Sequence, residues 1–481
     1  MNRLMGLCIC TVVFMLNTAV GPELYAQAET KHHRYQIVDL GPAGGPNSAI
    51  STQAVAVNRH GRVVGGADTG LHDPYDPNCF SDCFVTLAYS WKHGSATDLG
   101  ALSDGVSSTA IAVNDFGLID GVSENGEIDP QTGFPEVIAV AWLDGNIISL
   151  GTLGGTQSAT SCTVSNRGEI VGGALNEIAD PFANDFSQFF MFVPATTQCH
   201  AFLWHRGNMR DLGTLGGPDS IASSVNDRGQ VSGQSYTNSI PNPVTKFPTL
   251  DPFFWEDGQM IDLGTLGGNF GVADWMNDRG QVVGGSDLKG DTTGHPYLSD
   301  QGGQMQDLGT LGGDNGEAFS INDAGVVVGR ADLPGSGAHH AFLWKRGHKM
   351  EDLGVPQGDT CSTALSVNIH NQVVGDSGVC GVGGHAFLWE NGGPMVSLQR
   401  LVIPGSELQV TDADFINDRG EIACIGTVAD GNSHACLLIP TDELVESNAN
   451  TIVTIPDASE MPRAHTVVSH SPLRGRSAPK D

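Results

Sequence analysis

The chain has 481 residues, of which 64 are Gly, 54 are Asp or Glu and 23 are Lys or Arg, and its formal net charge is −31. Glycine is therefore about twice as frequent as its usual ~7%, but it follows no G-X-Y period, which excludes a collagen. Such an acidic chain repels a phosphate backbone, so we expect no nucleic-acid partner. With 40% hydrophobic residues, the chain has enough apolar material for a core.

The first 28 residues have the pattern of a secretory signal peptide. Arg3 supplies a basic start, Leu4 to Leu16 form an apolar run, and Ala26-Gln27-Ala28 fits the small-x-small site of a signal peptidase. An uncleaved anchor is the alternative, but the run is shorter than the ~20 residues that span a bilayer. We therefore predict a protein that is secreted or periplasmic, without membrane insertion.

One phrase recurs along the rest of the chain. Its clearest copies start at Ala201, Pro252 and Pro296 and contain D-L-G-T-L-G-G and N-D-x-G. Weaker copies start at Ala88, Ala139, Ala341 and Ala386. We number the repeats 1 to 8 by the last position of N-D-x-G, which is Gly61, Gly117, Gly168, Gly229, Gly280, Gly325, Asn371 and Gly420. Asn371 fits this series, because Asn tolerates positive φ better than other non-glycine residues.

Each repeat divides into four predicted strands, a to d. Strand a ends at the Asn of N-D-x-G, which is a tight turn, and strand b is the V-V-G run. Strand c is the A-F-L-W segment and strand d is M-x-D-L-G. No comparable stretch has a helical period, which indicates an all-β chain. Four strands per unit of roughly 45 residues are typical of a β-propeller blade.

The two ends of the repeat region are complementary. The first repeat is preceded by a d-type strand, Tyr35 to Gly41, and the last stops at a c-type strand, His434 to Pro440. Pairing these two strands would close the ring and remove an exposed sheet edge. We therefore predict one propeller of eight four-stranded blades over residues 35–440, with a solenoid as the alternative. Residues 441–481 lack the repeat and are predicted to be a flexible tail.

These residues carry a family resemblance. The His-Ala-Phe-Leu-Trp segments at His200, His340 and His385, together with the D-L-G-T-L-G-G and N-D-R-G phrases, resemble the HAF-repeat family of bacterial extracellular proteins, and the blades are loosely similar to kelch repeats. The resemblance covers the repeat region and implies secretion and a repeated β architecture. It implies no catalytic residues.

Two repeated features invite functional interpretations that geometry weakens. The histidines at positions 200, 295, 340, 385 and 434 occupy equivalent places in different blades, whereas zinc needs its ligands ~2 Å from one ion. We therefore expect each His to bond within its own blade, and we predict no metal site from them. The L-G-T-L-G-G phrase is followed by a strand, not by the helix of a phosphate loop, so we interpret it as a crossover between blades.

Eight cysteines remain outside the leader, which favours disulfides in an exported protein. Their repeat positions suggest the pairs Cys79–Cys83, Cys162–Cys199, Cys361–Cys380 and Cys424–Cys436. The alternative for Cys79 and Cys83 is a C-x-x-x-C metal or redox site.

Function is expected on the loops between strands b and c, because loops on a rigid scaffold usually carry binding. These loops are long in the first four repeats, at 68–87, 122–137, 174–199 and 234–250, and they combine aromatic with acidic residues. Such a surface suits a glycan or a protein partner. Calcium is the cofactor that acidic extracellular loops would take. The candidate binding residues are Tyr75, Phe182, Phe186, Phe189, Phe190 and Tyr236.

The sequence thus leaves two functions open for what we expect to be a monomer. The first is a binding or scaffold module that uses the long loops. The second is a glycan hydrolase or lyase with carboxylates at the channel mouth, for which Asp219, Asp314, Glu317 and Asp359 are the candidates. We favour binding, because the sequence has no nucleophile motif and no carboxylate pair outside the repeat pattern.

Overall fold

The computed structural model describes residues 31–446 except positions 80, 81, 192, 244, 336, 383 and 391. The predicted signal peptide and residues 447–481 of the predicted tail lie outside the described residues. The described chain is a β-propeller of antiparallel sheets, as predicted.

The strands follow the predicted order a, b, c, d. The first half of the chain contains β1 (Lys31–Asp39), β2 (Gly44–Ala49), β3 (Val63–His72), β4 (Phe84–Lys92), β5 (Ser95–Asp98), β6 (Ser108–Val113), β7 (Ile119–Ile128), β8 (Pro135–Leu143), β9 (Asn146–Ser149), β10 (Ser158–Val164), β11 (Glu169–Ala179), helix α1 (Ala183–Phe190), β12 (Thr197–His205), β13 (Asn208–Gly213), β14 (Ser220–Val225), β15 (Val231–Tyr236), β16 (Leu250–Glu256) and β17 (Gln259–Asp262).

The second half contains β18 (Gly267–Gly271), β19 (Trp275–Met276), β20 (Gln281–Leu288), β21 (Gly294–Asp300), β22 (Gln306–Asp307), β23 (Gly316–Ile321), β24 (Val327–Asp332), β25 (His339–Trp344), β26 (Glu351–Gly354), β27 (Cys361–Val367), β28 (Val373–Gly378), β29 (Gly384–Trp389), β30 (Val396–Ser397), a 3₁₀ turn (Leu398–Arg400), β31 (Gln409–Ile416), β32 (Ile422–Thr427) and β33 (Ser433–Glu446).

The terminal strands close the propeller. Strand β1 pairs antiparallel with β33, which places Val38 opposite Leu437 and completes the sheet β31-β32-β33-β1. The pairing continues beyond the predicted limits of 35–440, from Lys31 to Glu446. Five other repeats form four-stranded sheets, while repeats 4 and 5 share one nine-stranded sheet through the pair Leu250 and Phe270. The count of eight separate blades therefore stays a prediction.

Neighbouring repeats are linked by the Asn of the N-D-x-G turn. In repeat 1, Asn58 Oδ1 accepts the amides of His60 and Arg62, which fixes the turn. Its Nδ2 then donates to the carbonyl of Asn114 in the next repeat, at 2.9 Å. The same donation, at 2.8–3.1 Å, joins Asn114 to Ser165, Asn226 to Asn277, Asn277 to Asn322, Asn322 to Asn368, Asn368 to Asn417, and Asn417 back to Asn58.

The ring of asparagines has one substituted position. Repeat 3 has Ser165, whose hydroxyl bonds to Glu169 within the same turn. The neighbouring Asn166 makes the link to repeat 4, because its backbone N–H and its Nδ2 both donate to the carboxylate of Asp227. The connection between turns is thus maintained by a different side chain.

A second link joins strand c of one repeat to strand a of the next. Strand a contains a serine whose hydroxyl accepts the N–H of an alanine in the preceding strand c, at 2.9–3.0 Å. The pairs are Ala88–Ser108, Ala139–Ser158, Ala201–Ser220, Ala341–Ser362 and Ala435–Ser48. Where strand c instead carries Pro252 or Pro296, which have no N–H, the next strand has Gly271 or Gly316. A Cβ atom at either glycine would lie 2.9 Å from the proline Cδ.

This matching predicts a double-mutant result. Gly316→Ser should destabilise the protein by about 1–3 kcal/mol, because the new side chain meets Pro296. Adding Pro296→Ala should recover most of the loss, since it removes the clash and supplies the N–H that the serine accepts elsewhere. Urea unfolding of the wild type, both single variants and the double variant measures the coupling. Strictly additive effects would contradict the proposed pairing.

The asparagine ring predicts a second effect on stability. Asn322→Ala removes two turn hydrogen bonds, one buried and one partly buried, and the buried 2.8 Å bond to Asn368. We expect a loss of about 2–4 kcal/mol in the free energy of unfolding. The matched control is Asn432→Ala, because Asn432 donates its side-chain amide only to Asp430 in its own exposed turn. Equal losses in the two variants would show that the ring carries no special share of the stability.

Candidate functional site

The long loops of the first four repeats lie together on one face of the propeller, which we call the loop face. The N-D-x-G turns lie on the opposite side, the turn face, because the strands of each sheet are antiparallel. Part of the predicted loop sequence is strand. The hairpins β3/β4, β7/β8 and β11/β12 rise above the face, with end pairs His72–Phe84, Ile128–Pro135 and Ala179–Thr197.

Helix α1 covers part of this face and was not predicted. It lies in the loop of repeat 3, and its apolar residues pack against Leu175, Ile221 and Tyr236 from repeats 3 and 4. The spacing of Phe182, Phe186 and Phe190, four residues apart, is the signal that could have identified it. Because this helical spacing extends over only nine residues, it is hard to distinguish from a loop that is rich in aromatics.

The predicted aromatic binding surface is corrected by burial. Phe186 and Tyr236 are only 1% and 5% exposed, and their ring centroids lie 5.1 Å apart in the core beneath α1. These two residues hold the loops on one another and are removed from the binding surface. Phe182, Phe189 and Phe190 are half-buried around the same core, and Tyr75 is half-buried in the loop of repeat 1.

Exposed apolar residues occupy the loop tips instead. Leu71, Ile128, Ile178 and Ile240 lie in the loops of repeats 1, 2, 3 and 4 and are 66%, 42%, 58% and 76% exposed. None of the four was among the predicted binding residues, which are all aromatic. Each is an aliphatic residue beside polar loop residues, which is a weak signal without knowledge of exposure.

A polar cavity of about 320 Å³ lies between the loops of repeats 2 and 3. Asp129, Gln131, Glu177 and Thr196 are among its lining residues. Burial alone would raise the pKa of Asp129, but hydrogen bonds from Thr156 and from backbone amides outweigh it and lower the pKa. Glu177 is exposed and makes no hydrogen bond or ion pair with the described residues. The cavity therefore presents negative charge between the tips that bear Ile128 and Ile178.

The four carboxylates proposed for the hydrolase alternative are spread over several repeats. Three of them contact neighbouring side chains, and the fourth is exposed. Glu317 pairs with Arg330 at 3.1 Å, and Asp359 accepts the hydroxyl of Ser377 at 2.8 Å. Asp314 is exposed in a crossover. Asp219 contacts Asp180, and burial followed by that neighbour raises the pKa of Asp219 to about 8. Two carboxyls in hydrogen-bond contact leave no room for a glycosidic bond, which retaining enzymes hold between acids ~5 Å apart.

The repeated histidines bond within their own repeats. His200, His295 and His340 lie 2.8–2.9 Å from the aspartate of the adjacent strand d, and His434 lies 3.0 Å from Asp39 of the strand that completes its sheet. In repeat 7, where strand d lacks that aspartate, His385 lies 3.9 Å from Asp359. The histidines therefore do not share a site.

Repeat 4 replaces this histidine by Asp251, which faces the carboxyl of Asp262. Burial and then Asp262 raise the pKa of Asp251 to about 7. At the equivalent pair in repeat 3, burial would raise the pKa of Asp211, but His200 and the backbone N–H of Gly213 together outweigh it and lower the pKa. The contact between strands c and d therefore raises the pKa of an aspartate in repeat 4 and lowers the pKa of an aspartate in repeat 3.

Three of the four predicted disulfides are present: Cys79–Cys83, Cys361–Cys380 and Cys424–Cys436. The fourth is wrong, because Cys162 and Cys199 are free thiols. Cys162 lies in innermost strand β10, where its carbonyl accepts the amide of Val55 from repeat 1, while Cys199 packs against Met191 behind α1. Among the described residues, Asp76 with Cys79 and Cys83 is the one group of three close metal-ligating side chains, and both of its cysteines are in a disulfide.

Comparisons with known proteins add the following. No family model matches the chain, and no curated protein matches it. Among solved structures it is similar to the β-propeller domain of the Trilobed protease from Pyrococcus furiosus, described as having an open velcro topology. The identity is 9%, the TM-score is 0.38, and the match covers 70% of this chain and 94% of that chain. No function follows from a likeness of this size. No helix of the described residues is long and apolar enough to cross a membrane.

The Asp251–Asp262 contact predicts a pH-dependent gain. The folded-state pKa of Asp251 lies above its ordinary value, so the stability that the protonated group contributes is lost as pH rises towards 7. Asp251→Asn does not titrate and should raise the free energy of unfolding at about pH 8 by roughly 1–2 kcal/mol, with little change near pH 5. Asp211→Asn should lower stability at pH 8, since the pKa of Asp211 is lowered. Urea unfolding at both pH values tests the pair, and effects of equal sign would contradict it.

Proposed function

We propose that the chain is an extracellular binding protein whose loop face, over repeats 1 to 4, docks a protein partner. The observation that carries the proposal is the exposure of Leu71, Ile128, Ile178 and Ile240 at the tips of four consecutive loops. Exposed apolar residues grouped on one face are typical of protein interaction sites. A rigid propeller beneath them keeps the four tips in fixed relative positions.

Burial of the aromatics favours a protein over a glycan. A sugar-binding face needs exposed rings, but Phe186 and Tyr236 lie inside the core and the other candidate rings are half-buried. Aliphatic tips instead match the apolar centre of a protein interface, surrounded by polar residues.

The charge of the face indicates the chemistry of the partner. The cavity between Ile128 and Ile178 presents Asp129 and Glu177, and the chain as a whole carries a net charge of −31. A partner with a Lys or Arg side chain flanked by apolar residues would place its charge in the cavity and its apolar groups against the two tips. Complementary charge also accelerates association, so binding should weaken at high salt.

A four-site variant tests the proposal. Replacing Leu71, Ile128, Ile178 and Ile240 by Ser should leave the fold intact, since the four side chains are exposed, and should reduce capture of the partner at least tenfold. The mature protein would be immobilised and exposed to secreted and cell-surface proteins, with quantification by mass spectrometry. The matched control is Phe116→Ser on the turn face, because Phe116 is 79% exposed.

The outcomes separate the alternatives. A protein captured by the wild type and the Phe116 variant but lost by the four-site variant supports the proposal. Equal capture by all three proteins would refute the placement of the site. Binding to a glycan array that survives the four Ser substitutions would refute the choice of a protein partner.

A further inference from the structure

We propose that one proton shared by Asp180 and Asp219 locks the α1 segment, residues 180–191 and 193–197, onto repeat 4, so that the binding face is assembled at acidic and neutral pH and opens at alkaline pH. The inference rests on the proposed function where it concerns binding. The lock itself is a property of the fold.

The geometry of Asp219 requires a proton at this contact. The residue is 0% exposed, and its Oδ1 accepts the backbone N–H of Cys199 at 2.9 Å. Its Oδ2 is buried and meets no N–H or O–H donor of the described residues. The group that faces it is the carboxyl of Asp180, with which it shares a hydrogen bond. A hydrogen bond between two carboxyls exists only while one of them is protonated.

Asp180 connects this contact to the helix. Its Oδ2 accepts the N–H of Phe182 at 2.7 Å, just before α1, and its own N–H donates to Thr196 at the other end of the segment. Asp219 directly precedes β14 of repeat 4. The shared proton therefore joins both ends of the α1 segment to the strand beneath it.

Among the described residues, no positive charge contributes to the shift in the pKa of Asp219. The other titratable groups that interact with Asp219 are Tyr236 of β15 and the Cys199 thiol of β12; Asp185 of α1 bears on that tyrosine and Asp211 of β13 bears on that thiol. Burial, with a smaller contribution from the Asp180 carboxyl, raises the pKa of Asp219 to about 8. The pKa of Asp180 is also raised, first by burial.

The direction of the pH effect follows from these shifts. The pKa of Asp219 is raised above its ordinary value in the closed state, so the closed segment holds a proton that the open segment releases at neutral pH. The contribution of the pair is complete in acid and is lost as pH rises towards 8. Over that range the opening equilibrium should increase by up to about tenfold per pH unit. Above it, the closed segment holds two negative charges in contact, which favours opening.

Opening would remove part of the binding face. The segment covers Tyr236 and Leu250, carries Phe186, and contains Thr196 from the wall of the acidic cavity. Ile178 lies two residues before it. Alkaline conditions should therefore separate one exposed tip and one cavity wall from the rest of the site.

Hydrogen exchange of residues 180–197, measured at about pH 6 and pH 9 and corrected for intrinsic exchange, tests the lock. The wild type should show at least a tenfold increase in opening. Asp219→Asn should abolish this increase, because Asn keeps the acceptor for Cys199, donates Nδ2–H to Asp180 and does not titrate. Asp251→Asn, at another acid contact, is the matched control and should retain the full increase. Retention of the increase in Asp219→Asn would overturn the proposal.

Two further measurements distinguish the proton from a bound cation and the lock from partner binding. Exchange in the wild type at pH 9 with millimolar calcium or with chelator separates a proton from a cation, and protection by calcium alone would overturn the proton lock. Capture of the protein partner at both pH values tests the link to binding. If the segment opens but the four-site Ser variant still captures the partner, the proposed function fails and the lock stands; if exchange is independent of pH, the lock fails whatever the binding result.

Discussion

The ring of asparagine side chains is the interaction on which the propeller depends. Neighbouring repeats pack the apolar faces of their sheets against each other. This packing alone does not fix the position of one sheet relative to the next, because the hydrophobic effect is not directional. The amide of Asn58 or Asn322 removes that freedom, because one oxygen fixes its own turn while the nitrogen reaches the next carbonyl. Local turn geometry and the spacing between repeats are thereby set by the same residue. The bond from Asn417 to Asn58 carries this link across the two ends of the chain.

Most of the fold could be predicted from the sequence because its determinants are local and repeated. The N-D-x-G turn needs an Asn and a residue that accepts positive φ, and Asn371, at φ 60°, satisfies the need as glycine does elsewhere. The terminal strands could be paired because the unfinished first and last repeats complement each other. The serine and glycine of strand a also follow a rule visible in the sequence, but its cause, the missing N–H of proline, becomes evident only with the strands side by side.

The loop face was less predictable because it departs from the repeat. Phe186 and Tyr236 have the composition of a binding surface, yet helix α1 buries them, and no repeat alignment can show what a unique insertion packs against. The proposed bond between Cys162 and Cys199 failed for a related reason. Equivalence with Cys361 and Cys380 places residues along a strand, whereas in repeat 3 one thiol lies on the innermost strand and the other lies behind α1. Charge contacts such as Asp180 with Asp219 depend on the same unique packing.

Alanine in strand c of one repeat is matched with serine in strand a of the next, and proline is matched with glycine. This junction between two repeats, and not the single repeat, is therefore the unit that must be inherited intact. A repeat whose strand c contains Pro296 requires Gly316 in strand a of the next repeat, while Ala341 in strand c is matched by Ser362. Unequal recombination that exchanged single repeats would often join a proline to a serine and create a steric conflict. Segments cut within a strand, on the other hand, carry both halves of a junction together. Duplicated segments in such a chain are therefore expected to begin and end inside blades, so that each interface between two blades is inherited unchanged.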